Sequence, residues 1–205
     1  MNNNTLDKFY SNYAYQKILK QYYSEKEILS YKSYFLKEKK KYFDHLKLHE
    51  KSIVLDVGTG RQSIALSRLF SKVNHFDIAK KHVLELNQYF KKNKVQNILS
   101  KRKDLETHQL EKNKYDFINL DGIVMHTNNP FRFVKNISKA LKPNGVIKIL
   151  FYRSGCLKFI LISFLRKLIK KKKLKLRSPF KNKITGMLFD DDLYVPNIHF
   201  FDENP

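Results

Sequence analysis

The run Ser52-Ile-Val-Leu-Asp-Val-Gly-Thr-Gly60 constrains this chain more than any other stretch. Its apolar positions read as an interior strand, and the two glycines spaced one apart let the backbone turn sharply into a helix. A helix beginning near Gly60 would point its unpaired N–H groups into the crevice beyond the strand, where open α/β sheets hold nucleotide-like cofactors. The acid narrows the choice. A pyrophosphate seated on that helix start would be repelled by the Asp56 carboxylate, so the run argues against a dinucleotide and for a ligand that carries positive charge.

From Ser52 onward, short apolar runs alternate with helical stretches: Val54 to Val57, Val73 to Phe76, Ile98 to Leu99, Phe117 to Leu120 and Val146 to Phe151. That alternation predicts an α/β fold, a mostly parallel sheet with helices on both faces. Lys142-Pro-Asn-Gly145 is expected to close the fourth helix with a turn ahead of the fifth strand, since Pro stops a helix and Gly tolerates a left-handed backbone. The first fifty residues lack Gly and Pro and are rich in aromatic side chains, which predicts two helices before the sheet. Within them Tyr10, Tyr13 and Tyr15 fit either a lid over the crevice or packing against the core. The division is a helical cap over 1–50, a core over 51–153, and a basic amphipathic helix with a tail over 154–205. All 205 residues fit one domain. The single Cys156 excludes an intramolecular disulfide and a cysteine zinc site, no metal centre is expected, and the polar N-terminus reads as cytoplasmic.

Further acids follow at informative spacings. In His75-Phe-Asp-Ile-Ala79, Asp77 ends a strand about twenty residues beyond the glycine turn, where a carboxylate can accept both hydroxyls of a ribose and Ile78 can face an adenine ring. Asp77 equally suits the N-cap of the helix that starts at Lys80. Asp104, in Lys101-Arg-Lys-Asp-Leu105, follows the third strand and fits a solvated turn acid paired with its basic neighbours. Tyr115 to Pro130 then supplies a strand, a loop and a helix start, with His126 as the residue of near-neutral pKa.

Taken in order from Val54 to Phe151, these motifs resemble class I S-adenosylmethionine-dependent methyltransferases of the small-molecule type. The resemblance implies a Rossmann-like, doubly wound fold and S-adenosylmethionine as cofactor, whose sulfonium and α-amino groups suit a carboxylate beside the glycine turn. It assigns Asp56, Gly58, Thr59 and Gly60 to that turn, Asp77 and Ile78 to the ribose and adenine, Asp104 and Leu105 to the adenine, and Asn119, Leu120 and Asp121 to the methionine end. His126 would take a proton from an attacking hydroxyl or amine, or else only pack beneath the next helix. Gln62 departs from the pattern, standing where a third glycine is usual. Asn129-Pro-Phe131 lies beyond the fourth strand, too late for the motif of base-amino methyltransferases.

The net charge of +22 invites a nucleic-acid partner, but Lys-rich composition together with abundant Asn, Ile, Phe and Tyr also follows from an AT-biased genome. Over 156–177, Leu157, Leu161, Phe164, Leu165 and Leu168 fall on one helical face and Lys158, Arg166, Lys167, Lys170 and Lys173 on the other. That pattern suits a helix lying on an anionic membrane, or one covering the active site with its lysines solvated. The fold normally ends in two further strands, an antiparallel hairpin, of which only Asn197 to Phe201 is legible. The sequence therefore predicts methyl transfer to a small-molecule or lipid-like acceptor. The alternatives are an RNA methyltransferase and a non-catalytic Rossmann-like subunit or membrane-surface adaptor.

Overall fold

The computed structural model of the chain describes residues 7, 8, 10, 11, 24–42, 44, 48–155, 157–170, 199 and 201. Helix α1 (Glu25–Tyr42) precedes the alternating unit β1 (Ile53–Val57), α2 (Arg61–Ser67), β2 (Lys72–Asp77), α3 (Lys80–Lys92), β3 (Ile98–Arg102), β4 (Tyr115–Asp121), α4 (Pro130–Ser138), β5 (Leu141–Leu150) and α5 (Leu157–Lys170). The five strands form one sheet in the order β3-β2-β1-β4-β5, and every named pairing is parallel. The order reverses between β1 and β4, the point at which such sheets open a crevice beyond their carboxyl ends.

Strand alternation divides the core. One face carries Val54, Val73 and Phe117 under α1, α2 and α3, with Ile28, Tyr31 and Phe35 of α1 and Leu86 and Phe90 of α3 in the same cluster. The other carries Leu55, Ile118 and Leu120 under Phe133 and Ile137 of α4. Helix α1 shows its face by the 28, 31, 35 spacing, and Phe35 meets Phe117 edge-on at 5.4 Å. Arg61 pairs with Glu27 at 3.1 Å and Arg68 with Glu25, which ties α1 to α2.

Two expectations are corrected. Lys142-Pro-Asn-Gly145 is not a turn ahead of the fifth strand but a bulge inside it: Tyr115 pairs with Leu141 and Phe117 already pairs with Val146. The reason is that Lys114 and Tyr115 N–H both donate to Ala140 O, at 2.8 and 2.9 Å, so β4 captures the chain before the bulge. Asn144, at φ 64°, takes the left-handed position expected of Gly145. The link from β3 to β4 is also not helical; it is a series of turns over 103–114, whose Leu105 and Leu110 pack into the second core.

Part of the C-terminal expectation, Asn197 to Phe201, is described. Phe201 forms a single parallel bridge with Arg153, and its ring meets Phe151 at 5.2 Å. His199 donates its N–H to Met125 O at 2.9 Å. Tyr13, Tyr15, Cys156, Lys173 and the tail beyond 170, apart from His199 and Phe201, lie outside the described residues. Among those described, no helix is long and apolar enough to cross a membrane.

A buried cation braces β5 against α1. Lys148 is 8% exposed, with its Nζ 2.7 Å from Glu38 Oε2, 3.6 Å from Asp121 Oδ2 and 4.9 Å from the centre of the Tyr34 ring. Replacing it with methionine leaves two largely buried carboxylates without their shared cation, which should cost about 3 kcal/mol in denaturant unfolding. Adding Glu38→Gln should restore part of that loss, and additive losses would refute the coupling.

Candidate functional site

At the reversal point, the loops after β1, β2, β3 and β4 enclose a cleft of about 240 Å³. Each loop brings a short pair or triplet of residues. After β1 come Gly58 and Thr59, after β2 Ile78 beside Asp77, after β3 Asp104 and Leu105, and after β4 Gly122 and Ile123 with His126. These are the carboxyl ends of three adjacent strands and one edge strand, so a single ligand lying across the sheet can touch all four.

The glycine turn is built for close approach. Gly58 sits at φ 119°, and a Cβ there would run into the Ile123 side chain. Gly60 is the left-handed N-cap of α2 at φ 78°, and a Cβ on it would strike Leu86. His75 locks the turn from beneath, its Nε2 2.6 Å from Gly58 O and its Nδ1 2.8 Å from Ser100 Oγ.

Asp77 lines the cleft and also braces the start of α3, whose N-cap is Ala79. Its Oδ1 accepts the Ala79 N–H at 2.7 Å at the start of α3, and its Oδ2 lies 2.8 Å from His82 Nδ1. Each oxygen keeps a lone pair for a ligand hydroxyl on the cleft side. Burial alone would lower the His82 pKa, but the Asp77 carboxylate, with Glu85 and Asp7 behind it, holds it above its ordinary value. The linkage follows in sign: a raised histidine pKa adds stability that is complete below about pH 6.5 and disappears as pH rises through the folded value. The stability margin of the native chain over His82→Gln should therefore shrink from pH 6 to pH 9 in urea titrations; a margin constant with pH would rule the ion pair out.

The Asp104 carboxylate organises its own turn, accepting from Glu106 N at 3.0 Å and Thr107 Oγ1 at 2.9 Å. Glu106 in turn accepts the Asn128 N–H at 2.6 Å, which ties the β3 loop to the loop carrying His126. His126 ends a 3₁₀ turn (Val124–His126) and is nearly buried, with the Tyr10 and Tyr152 rings edge-on at 6.5 and 6.1 Å. Helix α4 is capped by Asn129, whose side chain accepts from Arg132 N at 2.9 Å with Pro130 at the first turn. Asn129-Pro-Phe131 is thus a helix start.

Four assigned residues do not line the cleft: Asp56, Gly60, Asn119 and Leu120. Asp56 shares the sheet face of Val54, under α1 and α2, and its carboxylate is 1% exposed. It accepts from Ser63 Oγ at 2.5 Å and Asn119 Nδ2 at 2.7 Å. Leu120 is packed in the second core. Asp56, expected beside the ligand, lies beneath the turn and holds the start of α2 through Ser63. Burial raises the Asp56 pKa, against the pull of His75, Asn119 and Ser63. A raised carboxyl pKa gives stability that is full at low pH and lost as pH rises. Asp56→Asn should accordingly gain on the native chain in unfolding free energy from pH 4 to pH 7, with ligand affinity changed less than about threefold.

The sequence did not point to His82, Gln62 or Glu106 in the cleft, whereas Tyr10, one of the three tyrosines that fit a lid, does line it. The signal for His82 was present: it shares the 82, 83, 86, 90 buried stripe of α3 and so must face inward beside Asp77. The N-terminal segment reaches the same rim. Asp7 pairs with Arg102 at 2.6 Å and accepts the Lys80 N–H at 3.1 Å, which places Tyr10 over His82 and His126.

The charge of the cleft is the decisive property. The chain carries +22, yet Asp77, Asp104, Glu106 and Asp121 outnumber the cleft's full cations Arg61 and Lys103. Arg61 is already paired with Glu27, as Asp77 is with His82 and Asp121 with Lys148. Such a lining favours a ligand with cationic groups and hydroxyls over one with phosphates.

Residues 55–149 match the family model of a methyltransferase domain. No curated protein matches the chain. Among solved structures, the chain is similar to a candidate sarcosine dimethylglycine methyltransferase from Galdieria sulphuraria, with TM-score 0.56 and 22% identity, covering 71% of this chain and 55% of that one. A candidate methyltransferase from Bacillus halodurans C-125 matches at TM-score 0.53 and 20% identity over 65% of this chain and 58% of its own. The [4+2]-cyclase SpnF matches at 0.50 and 16% over 56% and 45%. The chain spans about half the length of each of these proteins. Identities this low establish a common fold, and a cyclase among the matches means that the fold alone does not fix the reaction.

Proposed function

We propose that the chain, whose residues 55–149 match the family model of a methyltransferase domain, binds S-adenosylmethionine in the cleft and transfers its methyl group to a small-molecule or lipid-like acceptor. The acidic lining of the cleft in a chain of charge +22 is the observation that carries this reading. The site's donors and acceptors fit the cofactor: Gly58 leaves room for close backbone approach, Asp77 accepts ribose hydroxyls, and Ile78 and Leu105 offer apolar surface to an adenine. Asp104 keeps carboxylate lone pairs for the adenine amine beyond those its turn uses.

When bound, the cofactor supplies an electrophilic methyl group on a sulfonium and leaves as a neutral thioether. The protein's task is then chiefly alignment and exclusion of water. Tyr10 closes the cleft over His82 and His126. His126 stands at the rim after β4 as the group that accepts the acceptor's proton, its turn held by the tail through His199, which donates to Met125 O at 2.9 Å. RNA as acceptor is disfavoured because phosphates would meet the cleft's carboxylates, whatever the charge of the outer surface.

The test is transfer of a labelled methyl group from S-adenosylmethionine to fractionated cell extract. Label in the small-molecule or lipid fraction supports the reading. Label confined to RNA would replace the acceptor class, and no transfer by a chain that binds the cofactor would leave the non-catalytic alternative.

A further inference from the structure

The structure decides one thing about α5 that its sequence left open. A helix laid over the active site would turn its apolar face inward, but here that face points out. Leu157 is 80% exposed, Phe164 58%, Ile160 57% and Leu161 38%, while among the described side chains of α5 only Ile162 is fully buried. At 100° per residue the four exposed side chains form one stripe along the helix, opposite Ile162. A stripe of this kind on a soluble surface marks a contact.

The charge around it says which. No acidic residue occurs between Asp121 and Asp190, while α5 carries Arg166 and Lys167 and continues into Lys170-Lys-Lys-Lys-Leu-Lys-Leu-Arg177. An exposed apolar stripe beside a run of cations is complementary to a surface that is apolar inside and anionic outside. Protein grooves that take amphipathic helices supply apolar walls without needing so many cations, and nucleic acid has no use for the stripe. At 14 residues α5 spans about 21 Å, too short to cross a bilayer but long enough to lie in its interface.

We propose that the outer face of α5, through Leu157, Ile160, Leu161 and Phe164, docks the chain on anionic lipid, to which the basic run that follows in the sequence adds electrostatic attraction. Chain order puts α5 after the carboxyl end of β5, the end of the sheet at which the cleft opens. The proposal stands whether or not the cleft binds S-adenosylmethionine.

The chain has no tryptophan, so Phe164→Trp supplies a lone fluorophore on the stripe. With vesicles of phosphatidylcholine and phosphatidylglycerol its emission is expected to shift to the blue, but not with phosphatidylcholine alone, and added salt should reverse the shift. In co-sedimentation with the same vesicles, Leu161→Ser with Phe164→Ser should weaken binding by at least about tenfold. Both side chains are exposed, so an unchanged melting temperature confirms that the variant is folded. The proposal fails if anionic vesicles neither shift nor sediment the protein, or if the double variant binds them as well as the native chain. It fails equally if the shift needs RNA, or occurs without lipid as protein concentration rises, as self-association would.

Discussion

Replacing Asp77 with alanine is expected to weaken S-adenosylmethionine binding about a hundredfold or more. A carboxylate that accepts two ribose hydroxyls makes charge-assisted bonds worth about 1.5–3 kcal/mol each, and alanine offers nothing in their place. The substitution also frees the Ala79 N–H and leaves His82 without its anion, at 2.7 and 2.8 Å respectively. Some loss of stability is therefore built in, on the order of 1–2 kcal/mol for the freed backbone N–H. Calorimetry and thermal melting on the same samples separate the two effects: a folded variant with affinity within threefold of native would remove Asp77 from the ribose. Asp56→Asn is the informative companion. Sequence pattern alone ranks Asp56 beside Asp77, whereas the fold places it beneath the turn, so only Asp77 should control affinity.

The second large effect is structural. Gly60→Ala should destabilise the chain by about 3 kcal/mol, because a left-handed backbone costs an L residue about 1–2 kcal/mol and the added methyl collides with Leu86 in the packed core. Gly155→Ala separates those contributions. It has nearly the same φ, 70° against 78°, but open space where the methyl would go, so it should show the backbone cost alone. Equal losses at the two positions, measured by denaturant titration, would contradict the packing account. Gly58→Ala should lose cofactor affinity as well, since its methyl would meet Ile123 on the opposite wall of the cleft.

The strands were readable because parallel strands buried on both faces are near-continuous apolar runs. Val54 to Val57 and Val73 to Phe76 fall inside β1 and β2 with a residue or less to spare at either end. The start of β5 was not readable, since Lys142-Pro-Asn-Gly145 carries turn residues that the fold uses in a bulge. That bulge is held by Lys142 Nζ on both Asp116 oxygens at 2.9 Å, a contact between strands that no local pattern contains. The motif order located the cleft's four corners, yet side-chain direction depended on the sheet. Asp56 and Asn119 are register partners on neighbouring strands of the face that α1 and α2 cover, so their polar groups satisfy each other. The same covered face holds Lys148, whose partner Glu38 comes from a helix 110 residues earlier in the chain. Amphipathicity identified α5 correctly as a helix; which of its faces meets solvent was set by the position of Ile162 against the fold.

The most direct test of the central claim is calorimetric titration of the purified chain with S-adenosylmethionine, with NAD as the control ligand. An acidic cleft behind a glycine turn should give saturable binding of S-adenosylmethionine and none of NAD. Binding of NAD in preference, or a folded chain that binds neither, would contradict the account.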